Sequence, residues 1–254
     1  MTVDALGAPR RHLASCASTN DEAAAWARAG APHGAAVIAD EQTRGRGRMG
    51  RAWSSAAGEG LYLSLVLRPS LPPHRAPALT IAVGLALRDA ALALGVRAHL
   101  KWPNDLLADE PGAGRRKLAG VLTEMATCGS RIEHVIVGVG LNVGTAAFPD
   151  ELAATATSLR RLLGHAPPRD DVERTLVAAI DARYRAFLAD GAAATVQALR
   201  EAVDFLGARV SVRAGDERTD GIAERIDDEG ALHVRDDAGA VHRLWAGDVE
   251  VRAT

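Results

Sequence analysis

The segment RKLAGVLTEMATCGSRIEHVIVGVGLNV, residues 116–143, predicts a β-hairpin in the middle of the chain. Residues 117–125 and 132–139 form two largely apolar runs, and a turn around Gly129 joins them. The run from Val135 to Val139 contains no polar side chain, which indicates that the second strand is buried.

Further periodic segments lie on both sides of this hairpin. Strands are predicted over 35–39, 61–67 and 97–102, and helices over 78–94 and over 21–29, the latter capped by Thr19 or Asn20. Two more helices are predicted over 172–184, where an apolar residue recurs every fourth position, and over 192–205. This order predicts an α/β (α+β) domain, a mixed sheet with flanking helices, over residues 1–206.

The character of the chain changes at Gly207. Five short β runs separated by Gly and Asp turns follow, over 208–213, 219–226, 231–234, 241–245 and 249–252. So many short strands in so short a segment predict a small β-barrel as a second domain, residues 207–254. No internal repeat is expected.

Composition excludes several classes of protein. The formal net charge of -2 argues against a general basic surface for nucleic acid. No signal peptide and no apolar run of roughly 18 residues is found, so a cytoplasmic protein without a membrane span is expected. Cys16 and Cys128 are predicted to be free thiols, and the absence of HExxH or a His/Cys cluster predicts no structural zinc.

Lysine and asparagine are unusually scarce. The chain has 28 arginines but only two lysines, Lys101 and Lys117, and three asparagines, Asn20, Asn104 and Asn142. A lysine ammonium is a compact point charge that a planar guanidinium does not replace. We therefore expect these five residues to mark positions where arginine or another amide cannot substitute.

The motif EQTRGRGRMGRAW, residues 41–53, is the strongest chemical signal. Its arginine–glycine segment (residues 44–51) places Gly45, Gly47 and Gly50 between arginines, so that backbone N–H groups and guanidinium groups can both approach an anion. The segment predicts a flexible loop that closes over an anionic ligand. It also fits GxGxxG, but a dinucleotide-binding turn requires a helix beginning at the glycines, and a strand follows instead.

Four other motifs place polar residues at the ends of predicted elements. KWPND (101–105) presents Asn104 and Asp105 after a strand, and RKLAGVLTE (116–124) presents Lys117 at the start of one. GVGLNV (138–143) places Asn142 just past a buried strand, and Ser18-Thr19-Asn20 precedes the first helix.

Together and in this order, these motifs resemble those of biotin protein ligases. The resemblance implies a catalytic domain like those of class II aminoacyl-tRNA synthetases and biotin/lipoate ligases, followed by an SH3-like barrel. It implies an ATP-dependent, AMP-forming enzyme that makes biotinyl-5'-AMP and passes biotin to a lysine of a biotin carboxyl carrier protein. It also implies Mg²⁺ carried by the ATP phosphates, with Asp105 as the one protein candidate for contact with it.

The resemblance assigns roles to individual residues. Lys117, Arg48 and Asp105 are the expected catalytic residues, Asp105 as the base of the transfer step. The expected biotin-binding residues are Ser18, Thr19, Asn20, Gln42, Gly45, Arg46, Gly47, Arg48 and Lys117. The expected ATP-binding residues are Arg48, Arg51, Trp53, Lys101, Asn104, Asp105, Asn142 and Arg252.

Two other functions stay open at this point. A lipoate or octanoate ligase shares the general fold, and a non-catalytic RNA-binding protein could use the arginine–glycine segment. Only 17 residues precede Ser18, so a winged-helix repressor domain and binding to DNA are not expected. A monomer or a weak homodimer is expected.

Overall fold

The computed structural model describes residues 5–252, and its main sheet has seven strands in the order β1-β2-β3-β7-β6-β5-β4. Strands β1 and β2 are parallel and the other neighbouring pairs are antiparallel, which confirms the predicted mixed sheet. Strands β6 and β7, the hairpin predicted around Gly129, lie near its centre. The strands are β1 (Arg10–Leu13), β2 (Ala36–Ala39), β3 (Gly60–Leu67), β4 (Ala98–Lys101), β5 (Asp105–Glu110), β6 (Gly114–Cys128) and β7 (Arg131–Asn142).

Helices cover both faces of this sheet. Helix α1 packs on one face against β2, β3 and β7, whereas α2 and the long α5 form a layer on the other face. Gly191 interrupts α5 with a left-handed φ of 84°, so it consists of two helical segments, as the sequence predicts. The helices are α1 (Thr19–Arg28), α2 (Pro77–Ala93), α3 (Asp150–Ala153), α4 (Leu159–Leu163) and α5 (Arg169–Ala202).

The two faces bury very different amounts of apolar surface. Side chains alternate along a strand, so Leu63 and Leu65 of β3 point into the large core under α2, while Val66 joins a small cluster under α1. The α1 cluster is mostly alanine, for example Ala23 and Ala27. Each fully buried leucine contributes roughly 1.5–3 kcal/mol, so the α2 face contributes most of the apolar stabilisation.

One helical stretch of residues 5–252, Pro73–Ala93, is long and apolar enough to cross a membrane by length and composition. About 72% of its most apolar window is buried inside the protein. The stretch contains α2, and its composition follows from its place between the sheet and α5.

The C-terminal part of the chain forms a second, five-stranded antiparallel sheet in the order β11-β10-β9-β8-β12. Its core residues Val210, Ile226 and Leu232 are continuous with the core under α2. Nε1 of the buried Trp102 donates to the carbonyl of Gly230 at 2.9 Å, which attaches this sheet to the KWPND turn. These strands are those predicted for the SH3-like barrel: β8 (Arg209–Ala214), β9 (Glu217–Ile226), β10 (Leu232–Arg235), β11 (Val241–Leu244) and β12 (Asp248–Val251).

The structure corrects several local predictions. Ser18, rather than Thr19 or Asn20, is the N-cap of α1, and its side chain makes no capping hydrogen bond. Thr19 and Asn20 belong to the first turn of the helix, where both are buried. Strands β1 and β5 and helices α3 and α4 escape the sequence reading because each is short and lacks a clear period.

The second sheet contains a nine-residue repeat, residues 227–235 and 236–244, where no internal repeat was expected. Each copy begins with two aspartates and has a glycine at its fourth and a histidine at its seventh position. The first aspartate of each copy accepts two backbone N–H bonds and pairs with the histidine ring, Asp227 with His233 and Asp236 with His242. The repeat therefore builds two successive turns of the second sheet in the same way.

Candidate active site

The arginine–glycine segment folds into a small hairpin, whereas its sequence predicts an irregular loop. The N–H of Gly47 donates to the carbonyl of Arg51 at 2.7 Å, and that of Trp53 donates to Gly45 at 2.9 Å. A short 3-10 turn, Arg48–Gly50, forms the tip, where Met49 adopts a left-handed φ of 56°. The hairpin thus projects three arginines, Arg46, Arg48 and Arg51, from a compact backbone.

Gly45 is required here for a reason other than mobility. A Cβ at this position would lie 2.6 Å from both Oγ of Ser55 and the carbonyl of Trp53. The nearest atom to a Cβ at Gly47 would be the carbonyl of Arg51 at 3.4 Å, which is ordinary contact. Close packing therefore selects glycine at the base of the hairpin but not at Gly47.

The indole ring of Trp53 lies on a floor made by glycines of the two central strands. A Cβ at Gly140 would lie 2.4 Å from the ring, and one at Gly120 would lie 3.2 Å from it. Nε1 of Trp53 is buried and has no hydrogen-bond partner within the described part of the chain. The ammonium of Lys117 lies 5.2 Å from the ring centroid, within the range of a cation–π contact.

Lys117 joins this ring to the KWPND turn. Its Nζ lies 2.7 Å from Oδ2 of Asp105, and Oδ1 of Asp105 accepts from Nδ2 of Asn104 at 3.1 Å. Nη1 of Arg48 donates to Oδ1 of Asn104 at 3.3 Å, so the hairpin tip reaches the same turn. Burial lowers the pKa of the Arg48 guanidinium, and the nearby carboxylate of Asp105 opposes this shift.

A second polar chain lies under the start of α1. The N–H and Oγ1 of Thr19 both donate to Oε1 of Gln42, at 2.8 and 3.1 Å. Nε2 of Gln42 donates to Oγ of Ser55 at 2.9 Å, and Oγ of Ser64 donates to Oδ1 of Asn20 at 2.7 Å. Buried amides and hydroxyls with paired partners form a preorganised polar surface.

The remaining candidate residues are placed less centrally. Asn142 is buried, and its Nδ2 donates to the carbonyl of Thr157 at 2.9 Å. Arg252 pairs with Glu250 at 3.5 Å, and its backbone N–H donates to the carbonyl of Arg209 at 2.9 Å, so both contacts lie within the second sheet. Ser18 is buried at the start of α1.

Asp248 of β12 is a site neighbour that sequence reasoning missed. It forms ion pairs with Lys101 and, at 3.4 Å, with Arg51. Burial alone would raise the pKa of Asp248, but the two cations hold it below its usual value. Ser55, Ser64 and Glu124 were also missed. Ser64 could have been noticed, because it is the one hydroxyl-bearing serine or threonine within the apolar strand β3.

A cavity of about 580 Å³ lies on the opposite side of β6 from the Trp53 ring. Thr80 of α2, Thr123 of β6 and Trp245 of the second sheet line it, and Arg48 reaches it from the hairpin tip. Among residues 5–252, no three His, Cys, Asp or Glu side chains are grouped so that they could hold a metal ion.

Comparisons with known proteins agree with this arrangement. Residues 14–142 match the profile of the Biotin/lipoate A/B protein ligase family, and residues 205–252 match that of the Biotin protein ligase C terminal domain. The bifunctional ligase/repressor BirA of Bacillus spizizenii is 35% identical over 238 residues, which are 92% of this chain and 71% of that protein. The biotin–[acetyl-CoA-carboxylase] ligase of Mycobacterium tuberculosis is 37% identical over 245 residues, which are 93% of this chain and 86% of that protein.

A solved structure shows the same fold. The biotin protein ligase from Aquifex aeolicus in complex with biotin and ATP superposes with a TM-score of 0.79 at 26% identity, covering 96% of this chain and 99% of that one. The fold is thus that of a ligase, and the chain belongs to the Biotin/lipoate A/B protein ligase family. Its C-terminal match narrows this placement to the biotin protein ligases, which confirms the resemblance carried by the motifs.

Proposed function

We propose that this chain activates biotin with ATP to biotinyl-5'-AMP and then transfers biotin to a lysine of a biotin carboxyl carrier protein. The observation that carries the proposal is the convergence of Lys117, Trp53 and Asp105 beneath the arginine–glycine hairpin. The matches to biotin ligases also support it. The hairpin and Lys117 belong to separate sequence motifs, and the fold brings them together.

The first step brings together two anions, the biotin carboxylate and the triphosphate. The carboxylate oxygen attacks the α-phosphorus, and the bond from that phosphorus to the pyrophosphate oxygen breaks. No protein nucleophile is needed, and positioning of bound reactants can supply on the order of 7–11 kcal/mol. Lys117, Arg48 and Arg51 supply positive charge where negative charge develops at phosphorus.

The polar chain under α1 suits the ureido ring of biotin. That ring offers one carbonyl acceptor and two N–H donors. Thr19, Gln42 and Ser55 offer a matching mixture of donors and acceptors, held by their own hydrogen bonds. Ser18, Asn20, Gly45, Arg46 and Gly47 complete the proposed biotin site around this chain.

We assign the nucleotide to the region between Trp53 and the KWPND turn. Arg51 and Lys101 both contact Asp248, and Asn104 lies between Arg48 and Asp105, so these side chains surround one region. Trp53 offers a ring against which adenine can stack. Asn142 and Arg252 are retained as proposed ATP contacts, although each has a partner of its own here.

Magnesium fits this site as an ion carried by the phosphates. Mg²⁺ usually keeps several waters and takes one or two carboxylates together with substrate phosphates. Asp105, now paired with Lys117 and flanked by the amide of Asn104, is the carboxylate that would contact the ion. When bound, the ion would neutralise charge on the phosphate oxygens.

In the second step the neutral amine of the carrier lysine attacks the carbonyl carbon of the mixed anhydride, and AMP leaves. Asp105 is the proposed acceptor of the amine proton. In this structure its carboxylate is paired with Lys117. We expect it to become available when Lys117 turns toward the adenylate.

Several broader expectations belong to the same proposal. Residues 1–206 would form the catalytic domain and 207–254 the barrel. The protein would act in the cytoplasm as a monomer or a weak homodimer, without binding DNA. The core residues of β8–β12 are continuous with the core under α2, which supports a barrel packed directly on the catalytic domain.

Biotin-dependent exchange of pyrophosphate into ATP tests the first step directly. We expect exchange that requires biotin and Mg²⁺ and is not supported by lipoate or octanoate. Exchange with lipoate but not with biotin would assign the chain to the other ligases of the family. Salt-sensitive RNA binding without any exchange would refute the enzyme proposal.

A further inference from the structure

Helix α1, strand β6 and the arginine–glycine segment meet at one carboxylate, that of Glu124. Its Oε2 accepts from Nδ2 of Asn20 at 2.6 Å, and its Oε1 lies 3.0 Å from Nη2 of Arg46. We call Asn20, Asp21, Arg46 and Glu124 the Glu124 cluster. None of the roles proposed above uses Glu124.

Within this cluster, Asn20 is the deeply buried member. Its side chain lies against the glycine floor, since a Cβ at Gly138 would be 2.1 Å from its Oδ1. Ser64 donates to that oxygen, and Glu124 accepts from the amide nitrogen. The two ends of the amide are therefore held from opposite sides, and the carboxylate orients it.

Arg46 is the member that belongs to the hairpin. Besides Glu124 it contacts Asp21, in the first turn of α1, at 2.8 Å. The side chains of Arg46, Asp21 and Glu124 are each 42–47% exposed. Each ion pair is thus screened by solvent. Losing one should change the equilibrium between the closed and the open hairpin by about two- to five-fold.

We propose that Glu124 is a positioning residue that holds the arginine–glycine hairpin over the glycine floor through Arg46 and fixes the amide of Asn20. It would set how firmly biotin is retained without contacting the reacting atoms. This inference rests on the proposed function for its ligand, but the contacts that carry it exist without ligand.

Three variants separate the two contacts. Glu124→Gln keeps an oxygen that accepts from Asn20 but removes the charge that attracts Arg46. Glu124→Ala removes both contacts, and Asp21→Asn weakens only the hold on Arg46. Glu133→Gln, at an exposed position of β7, is the matched control for loss of one carboxylate.

The first readout needs no substrate. Trypsin cleaves after arginine, so the rate of cleavage after Arg44, Arg46, Arg48 and Arg51 in the native protein reports opening of the hairpin. We expect Glu124→Gln to raise this rate about two- to five-fold at an unchanged Tm, with Glu133→Gln at the wild-type rate. A wild-type rate in Glu124→Gln would overturn the proposal.

The second readout is pyrophosphate exchange at varied biotin. We expect Glu124→Gln to raise KM for biotin while kcat stays within about two-fold of wild type, because only uniform binding is lost. Glu124→Ala should raise KM about five-fold more than Asp21→Asn, because it also removes the shorter of the two hydrogen bonds that the buried Asn20 amide donates, leaving only the 3.4 Å bond to the carbonyl of Leu122. Equal effects of these two variants, or a fall in kcat alone, would contradict the assignment.

The two proposals can fail separately. If the wild-type protein shows no exchange, the proposed function fails, while the tryptic readout still decides whether Glu124 holds the hairpin. If exchange is normal and the hairpin opens no faster in Glu124→Gln, only the role of Glu124 is refuted.

Discussion

The two faces of the seven-stranded sheet are built in opposite ways from the same strands. In β7, Val137, Val139 and Leu141 point into the core under α2, whereas the alternating Gly138 and Gly140 face Asn20 and Trp53. The α2 face is filled mainly by large apolar side chains, apart from the cavity beside Thr80 and Thr123. On the α1 face the glycines have no side chains, and the side chains of Asn20 and Trp53 fill the space above them.

This difference separates stability from recognition. Apolar burial on the α2 face stabilises the sheet, so the α1 face can carry buried amides, hydroxyls and an ion pair that contribute little to folding. A strand can serve both purposes because its side chains alternate between the faces. Substitutions on the two faces should therefore have separable effects, and four of them test this, from the largest expected effect to the smallest.

Lys117→Ala should reduce adenylate formation most, by on the order of 10²–10³-fold, as for the loss of one preorganised charge stabiliser. Its side chain is about one-third exposed, so the Tm should change little. Lys117→Arg should restore little activity, because the planar guanidinium does not reproduce a compact ammonium. Near-normal pyrophosphate exchange in Lys117→Ala would show that the α1 face does not hold the reaction.

Leu65→Ala probes the other face at a fully buried position of β3. The free energy of unfolding should fall by about 2–5 kcal/mol, as for other buried leucines. Urea denaturation measures this, and Leu92→Ala, at an exposed position of α2, is the control, with a change within about 0.5 kcal/mol. KM for biotin in the folded fraction should stay at its wild-type value, and a large change would break the separation of the faces.

Gly138→Ala tests the glycine floor. The added Cβ would overlap Oδ1 of Asn20. The Asn20 side chain cannot move away without losing its hydrogen bonds to Ser64 and Glu124, so KM for biotin should rise by about ten-fold or more. Gly84→Ala in α2 is the matched control, because its Cβ would meet Leu100 at 3.5 Å, an ordinary contact. We expect that control to be neutral or stabilising by about 0.5–1 kcal/mol. An equal change in KM for biotin in both variants would contradict the proposed difference between the two faces.

Thr123→Val should have the smallest effect. The hydroxyls of Thr80 and Thr123 lie 2.6 Å apart on the α2 face, and losing this one hydrogen bond should cost about 1 kcal/mol. The double variant Thr80→Val/Thr123→Val should be nearly neutral, since no hydroxyl is then left unpaired. Thermal unfolding distinguishes these cases, and a loss of exchange activity in either variant would mean that this face also contributes to the reaction.

Most strands and helices could be predicted from local pattern. The β6–β7 hairpin, the break in α5 and the five strands of the second sheet all carry a period or turn residues within a few positions. Strand β1 could not be predicted, because its residues Arg10–Leu13 are partly exposed and lack alternation. The cap of α1 was misassigned, because Thr19 and Asn20 are used for buried contacts instead.

Residue type and spacing alone identified the arginine–glycine segment, the KWPND turn and the isolated Lys117, because charge and backbone freedom belong to each residue wherever it lies. Which partners these groups meet was settled only by the folded chain. Asp248 reaches Arg51 across 197 positions of sequence, and Glu124 reaches Asn20 across 104. Contacts at such separations depend on how whole helices and strands pack together, and this packing cannot be predicted from the sequence pattern of a short segment.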